Sequence, residues 1–98
     1  MSLSVVLRRL AQAEFDDAAD WYEQRRSGRG AAFTAAVRRV LLEIASAPNA
    51  HPEVYRDVRE ALVPGYPYAI YYRAAPGPAS VLAIFHTSRD PAEWQSRT

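Results

Sequence analysis

Residues 68–86, YAIYYRAAPGPASVLAIFH, contain two apolar runs separated by a proline-glycine-proline turn. The first run, residues 68–73, is rich in aromatic and branched side chains, which suit the pleated surface of a β-sheet. Proline and glycine at positions 76–78 provide the backbone angles that a turn requires. Residues 80–86 then form the return strand. The stretch therefore predicts a β-hairpin.

Two further strands are predicted upstream of this hairpin. In residues 56–62 the side chains alternate, with Val58, Glu60 and Leu62 on one face. At the start of the chain an alternating pattern also fits a strand. Its two faces carry Leu3, Val5 and Leu7 on one side and Ser4, Val6 and Arg8 on the other.

Between these strands the apolar residues repeat with the period of an α-helix. The first stripe consists of Ala11, Phe15, Ala18 and Tyr22, with Asp16, Asp17, Asp20 and Glu23 mostly off it. The second stripe consists of Phe33, Val37, Val40, Leu41 and Ile44. Glycines at 28 and 30 separate the two helices and Pro48 ends the second, so an antiparallel helical hairpin is expected.

The predicted order is β-α-α-β-β-β in a single domain, residues 1–98, too short for two separate cores. This is an α+β fold, with a helical hairpin packed on a small antiparallel-type sheet. The residues expected between helices and sheet are Tyr22, Phe33, Val40, Ile44, Ile70 and Ile84.

The segment FHTSRDPAEW, residues 85–94, predicts a short C-terminal helix. Asp90 suits the N-cap, Pro91 the first turn, and Glu93 the capping-box position. Trp94 is expected to anchor this helix on the sheet.

Capping chemistry does not require His86 or Arg89. Histidine exchanges protons near neutral pH and arginine binds phosphate, so both are candidate functional residues. The alternative for His86 is a half-buried strand residue that shares a face with Leu82 and Ile84. Arg59, Arg73 and Arg89 could converge into a positive patch. Their alternative is ion pairing with Asp57, Glu60 or Asp90.

Composition narrows the other classes of function. The net charge is +1, all twelve basic residues are arginine, and cysteine is absent, which excludes disulfides and thiolate metal sites. His51 and His86 lie far apart without ligand-like neighbours, so neither a metal nor another cofactor is expected. No apolar run approaches the ~18 residues that span a bilayer, so we expect a cytoplasmic protein without a membrane partner.

Three stretches resemble the RelE/ParE superfamily of bacterial type II toxin–antitoxin modules, also called plasmid-stabilisation proteins. They are FDDAADWYEQRRSGRGAAFTAAV (15–37), VREALVPGYPYAIYYR (58–73) and VLAIFHTSRDPAEW (81–94). The resemblance covers nearly the whole chain in the same order. It implies the fold predicted above and, as a partner, a cognate antitoxin that is ParD-like or similar, whose binding residues it does not identify.

The superfamily contains two mechanisms. RelE-like members cut mRNA on the ribosome with basic strand residues and often a C-terminal tyrosine or histidine, whereas ParE-like members poison DNA gyrase. The nuclease pattern is only partly met: Arg59 matches one basic position, Ala61 occupies its neighbour, and Trp94 occupies the tyrosine position.

The resemblance therefore favours a ParE-like toxin that binds gyrase. The target-binding candidates are Arg73, His86, Arg89 and Trp94. The first alternative is a ribosome-dependent mRNA endonuclease, whose catalytic candidates are Arg59, Arg73, His86 and Arg89. The second is a decayed module that binds its antitoxin without toxicity.

Overall fold

The computed structural model describes residues 5–98 of the chain, which form a sheet and three helices. Leu3 and Ser4 of the predicted first strand lie outside the described residues. The elements in chain order are β1 (Val5–Leu7), α1 (Arg9–Arg25), α2 (Arg29–Ser46), β2 (Glu53–Tyr55), β3 (Val58–Leu62), β4 (Tyr68–Arg73), β5 (Ala79–His86) and α3 (Ala92–Gln95).

The strands form one sheet in the order β1-β5-β4-β3-β2. The β3, β4 and β5 strands pair antiparallel, whereas β1 runs parallel to β5. The α+β prediction is confirmed, and the sheet is mixed. The short edge strand β2 was not predicted. The strand predicted over residues 56–62 begins at Val58, because Arg56 adopts a left-handed conformation with φ 54° in the preceding turn.

Both helices bury the predicted stripes against one face of the sheet. In α1 the buried residues are Ala11, Phe15 and Ala18, and in α2 they are Gly30, Phe33, Val37, Val40 and Ile44. Tyr22 and Leu41 are half-buried and pack on the rim of this core. Within residues 5–98, neither helix has the length and apolar character needed to cross a membrane.

The hairpin between α1 and α2 is fixed by Glu23. Its carboxylate accepts hydrogen bonds from the backbone N–H groups of Gly28 and Gly30, at 3.0 Å for each nearest oxygen. A Cβ at Gly30 would lie 2.7 Å from the carbonyl oxygen of Ala19, so the close approach of the helices requires glycine there. The predicted helical hairpin therefore has specific turn chemistry as well as an apolar interface.

The opposite face of the sheet is covered by α3. Trp94 is 2% exposed and stacks on Tyr71 with ring centroids 4.0 Å apart. The Oδ1 atom of Asp90 accepts a hydrogen bond from the N–H of Ala92 at 3.0 Å, which confirms its capping role. The carboxylate of Glu93 binds Arg89 instead of reaching back to Asp90, so the predicted capping box is half formed.

Candidate functional site

A cleft of about 750 Å³ opens between α1 and the end of the sheet where β4 begins and β5 ends. Sequence reasoning placed two of its residues, His86 and Arg89, among the candidates. Its lining is formed by Glu14, Asp17, Ala18, Trp21, Tyr22, Arg25, Arg29, Pro67, Tyr68, Ile84, His86 and Arg89.

His86 is the last residue of β5 and is paired with Tyr68 of β4. It is half-buried and lies on the same face as Ile84, as the structural alternative predicted. Leu82 does not share that face. A register shift between Tyr71 and Tyr72 on β4 leaves Leu82 as an extra residue on β5, and Leu82 packs in the core beneath α3.

The hydrogen bonds of His86 decide which ring nitrogen carries its proton. The Nδ1 atom accepts from the backbone N–H of Ser88 at 3.1 Å. The hydroxyl of Ser88 lies 2.7 Å from the same nitrogen and donates to it as well. Because Nδ1 is an acceptor, the neutral ring carries its proton on Nε2. The imidazole therefore has only an N–H donor left for other partners.

Tyr68 is the principal contact of His86, and the sequence analysis did not select it. The two rings lie 5.2 Å apart in an edge-to-face arrangement. Tyr68 also packs on Phe33 at 5.1 Å. Burial raises the pKa of Tyr68 above its ordinary value, so its hydroxyl stays protonated at neutral pH. The cross-strand pairing that creates this contact depends on register, which composition alone does not reveal.

Arg89 is held at the mouth of the cleft by acidic neighbours other than the predicted Asp90. Its guanidinium binds Glu93 and lies 3.4 Å from the carboxylate of Glu14. It also lies over the ring of Phe85, 4.1 Å from the centroid. Arg89 is thus partly neutralised, although its side chain is 41% exposed.

Glu14 joins α1 to the end of the chain. Its carboxylate accepts hydrogen bonds from Arg97 at 2.8 and 2.9 Å, and from the backbone N–H of Ile84 at 3.2 Å. The hydrogen bond to Glu14 raises the pKa of Arg97. The sequence analysis missed Glu14, since a single acid beside an apolar stripe resembles the other acids on the exposed face of α1.

Arg59 and Arg73 lie at the other end of the sheet. Arg59 pairs with Tyr72, and Arg73 pairs with Ser80 of β5. Tyr68 and Arg73 are the two ends of β4, roughly 17 Å apart at the rise of a β-strand. The predicted convergence of these arginines with Arg89 is therefore wrong.

Contacts within the fold occupy both of these arginines. Arg59 donates to the backbone carbonyls of Asn49 and His51, at 3.1 and 2.6 Å, and lies 3.7 Å from Glu53 rather than on Glu60. Arg73 pairs with Asp57 at 3.0 Å, as the alternative predicted. The guanidinium of Arg73 holds the pKa of Asp57 below its ordinary value.

These features define a small α+β protein with one cleft beside its helical hairpin. Residues 5–91 match the family described as the ParE toxin of type II toxin-antitoxin systems, parDE. Because the match spans most of the sequence, the chain belongs to this family of toxins.

Comparison with solved structures supports the fold. A chain of the chromosomal ParDE toxin–antitoxin system from P. aeruginosa is similar, with a TM-score of 0.77 and 17% sequence identity. The similarity covers 88% of this chain and 97% of that one. A search of curated proteins finds no match to the sequence.

Proposed function

We propose that this ParE-family toxin acts by binding DNA gyrase in the cytoplasm and is neutralised by a cognate, ParD-like antitoxin. The observation that supports a binding mechanism is the division of the nuclease candidates between two ends of the sheet. His86 and Arg89 lie beside the cleft, whereas Arg59 and Arg73 lie at the far end of β4 and β3.

Cleavage of RNA needs a base for the 2′-hydroxyl, an acid for the leaving oxygen and cations on the phosphate, all within reach of one bond. The cleft offers donors without a base. The Nδ1 atom of His86 is occupied by Ser88, and the raised pKa of Tyr68 keeps its hydroxyl protonated. A poison that acts by binding needs a complementary surface instead, where buried aromatic and arginine side chains dominate the binding energy.

The target-binding candidates contribute differently to this proposal. Arg89 and His86 flank the cleft and offer donors at the surface. Trp94 is buried beneath the surface, so it acts through the position of α3. Arg73 lies at the other end of the sheet and would provide a separate contact.

Induction of the protein in cells tests the mechanism. We expect DNA-damage signalling and gyrase-linked DNA cleavage while bulk mRNA stays intact. His86→Ala should keep most of the toxicity. Arg89→Ala should weaken it by removing a contact, and Trp94→Ala should do so through the fold. Codon-positioned mRNA cuts that disappear in His86→Ala would overturn the gyrase proposal in favour of the endonuclease. Antitoxin binding without either signal would indicate the decayed module.

For the antitoxin we propose an extended or helical segment that lies across the helices and the sheet. Supporting this, several large apolar side chains stay exposed, among them Leu10 at 45%, Trp21 at 50% and Leu42 at 71%. Segments that order on binding can cover such surfaces. Co-expression with the product of the adjacent reading frame should give one complex on gel filtration, and two separate peaks would contradict the proposal.

A further inference from the structure

The cleft extends along α1 as a groove. Its α1 lining runs from Glu14 to Arg25, eleven residues or roughly 16 Å of helix axis. That length matches about three turns of a second helix laid alongside. Midway along it, Trp21 is 50% exposed, and the Arg25 guanidinium lies 4.3 Å from the centre of its ring.

The charges in the groove are unevenly distributed. Arg97 and Arg89 neutralise Glu14 at one end. Among residues 5–98, the ion pairs within 4 Å do not include Asp17, Arg25 or Arg29. The groove therefore carries an uncompensated carboxylate near one end and two uncompensated guanidinium groups at the other. Asp17 and Arg25 are eight residues apart on α1, roughly 12 Å along its axis.

We propose that this groove binds a helical segment of the antitoxin, selected by a matching pair of charges. The segment would place a basic residue opposite Asp17 and an acidic residue about two helical turns away, opposite Arg25 and Arg29. An apolar side chain between them would pack on Trp21. This inference rests on the proposed function, since it identifies the chemistry that the antitoxin must carry.

The arrangement of charges fixes the direction of the bound helix. A helix laid in the opposite direction would bring like charges together at both ends, and such contacts select against wrong partners. Nucleic acid is a poorer occupant because Asp17 lies in the same groove and would repel a phosphate backbone. The apolar wall formed by Trp21, Tyr22 and Tyr68 instead fits a helix with one apolar face.

Charge reversal tests the proposal. The probe is the purified protein encoded by the reading frame adjacent to the gene for this toxin, titrated by calorimetry. The double variant Arg25→Glu/Arg29→Glu should bind at least tenfold more weakly than the unmodified chain. The control, Arg38→Glu/Arg39→Glu, makes the same change of net charge at exposed positions of α2 outside the groove. Its affinity should stay within about twofold, and circular dichroism should show both variants folded.

The outcomes separate this inference from the proposed function. If the unmodified toxin fails to bind the neighbouring protein, the proposed antitoxin partnership is wrong and the inference falls with it. If it binds and both double variants bind equally well, the groove proposal alone is wrong. Restoration of binding by an acidic-to-arginine change in the antitoxin segment would assign the contact to that pair of charges.

Tryptophan fluorescence gives a second readout. Trp94 is 2% exposed, whereas Trp21 is 50% exposed, so a change of solvent exposure on binding should come from Trp21. Addition of the antitoxin should shift the emission to shorter wavelength, and the shift should be absent in Trp21→Phe. Binding without this shift, or the same shift with a single-stranded oligonucleotide or on self-association, would overturn the proposal.

Discussion

The two ends of the sheet carry similar residues but use them differently. At the Arg59 end, defined here by Arg59, Tyr72 and Arg73, each polar side chain has a partner within the fold. Arg59 holds two loop carbonyls, Tyr72 donates to the carbonyl of Pro48 at 2.7 Å, and Arg73 pairs with Asp57. At the His86 end, defined by Tyr68, His86 and Arg89, the side chains border an open cleft.

The difference separates residues that maintain the fold from residues that are available to a partner. An arginine whose donors are fixed on buried carbonyls has little freedom to bind phosphate or protein. At the His86 end, by contrast, Arg89 remains 41% exposed, and the nearby Trp21 is half-exposed. Changes at the Arg59 end should therefore affect stability first, and changes at the His86 end should affect binding first.

The largest effects are expected in the core beneath the two ends. Phe33 packs on Tyr22, Tyr66 and Tyr68 below the cleft, whereas Ile44 lies near the end of α2. Truncation of either to alanine should lower the free energy of unfolding by about 2–5 kcal/mol, measured by urea denaturation. Phe33→Ala should also weaken antitoxin binding at a temperature where both variants are folded. A loss well under 1 kcal/mol at both sites would contradict the assigned helix faces.

Next in size is the ion pair that holds α1 against β5. Glu14 and Arg97 are only 15% and 16% exposed. Arg97→Met should cost about 3 kcal/mol, because it leaves Glu14 mostly buried without its bidentate partner. Arg89→Met, a more exposed partner of the same carboxylate, should cost less than about 1 kcal/mol. The double variant Glu14→Met/Arg97→Met should recover part of the loss in urea denaturation, and no recovery would contradict a role based on charge burial.

Much of this fold follows from the periodicity of apolar residues. The stripe through Phe33 and Ile44 and the strand at residues 68–73 are confirmed because each buries one continuous face. The mixed pairing of β1 and the edge strand β2 were not predicted, since three-residue strands carry little periodic signal. Their pairing depends on tertiary contacts rather than on local preference.

The candidate site was less predictable for a geometric reason. Sequence reasoning found His86 and Arg89 because they follow a strand without a capping role. It grouped them with Arg59 and Arg73, since residue type does not show at which end of a strand a side chain lies. Trp21 escaped notice beside Tyr22, although one position of a helix turns a side chain by about 100° and so from the core to the surface.

The third prediction concerns Arg59. Arg59→Ala removes the donor from the carbonyls of Asn49 and His51, and should lower the free energy of unfolding by about 1–3 kcal/mol. Arg59→Lys should retain part of the stability, since it keeps one charged donor. In cells matched for folded protein, both variants should remain toxic. A folded Arg59→Ala protein that has lost toxicity would place a functional group at this end of the sheet.

The smallest effect is expected for the exposed pair of Arg73 and Asp57. Because Arg73 holds the pKa of Asp57 below its ordinary value, folding is favoured by this pair when the unfolded carboxyl is ionised. The advantage of the unmodified chain over Arg73→Gln in urea midpoint should be present at pH 7. It should then shrink as the pH falls through the ordinary range of aspartate, near ~4, because the unfolded state takes up the proton first. With Asp57→Asn in the background, Arg73→Gln should show no such pH dependence. Parallel midpoint curves for the unmodified chain and Arg73→Gln between pH 7 and 3 would mean that the pair does not stabilise the fold, and would leave Arg73 as free to bind a partner as Arg89.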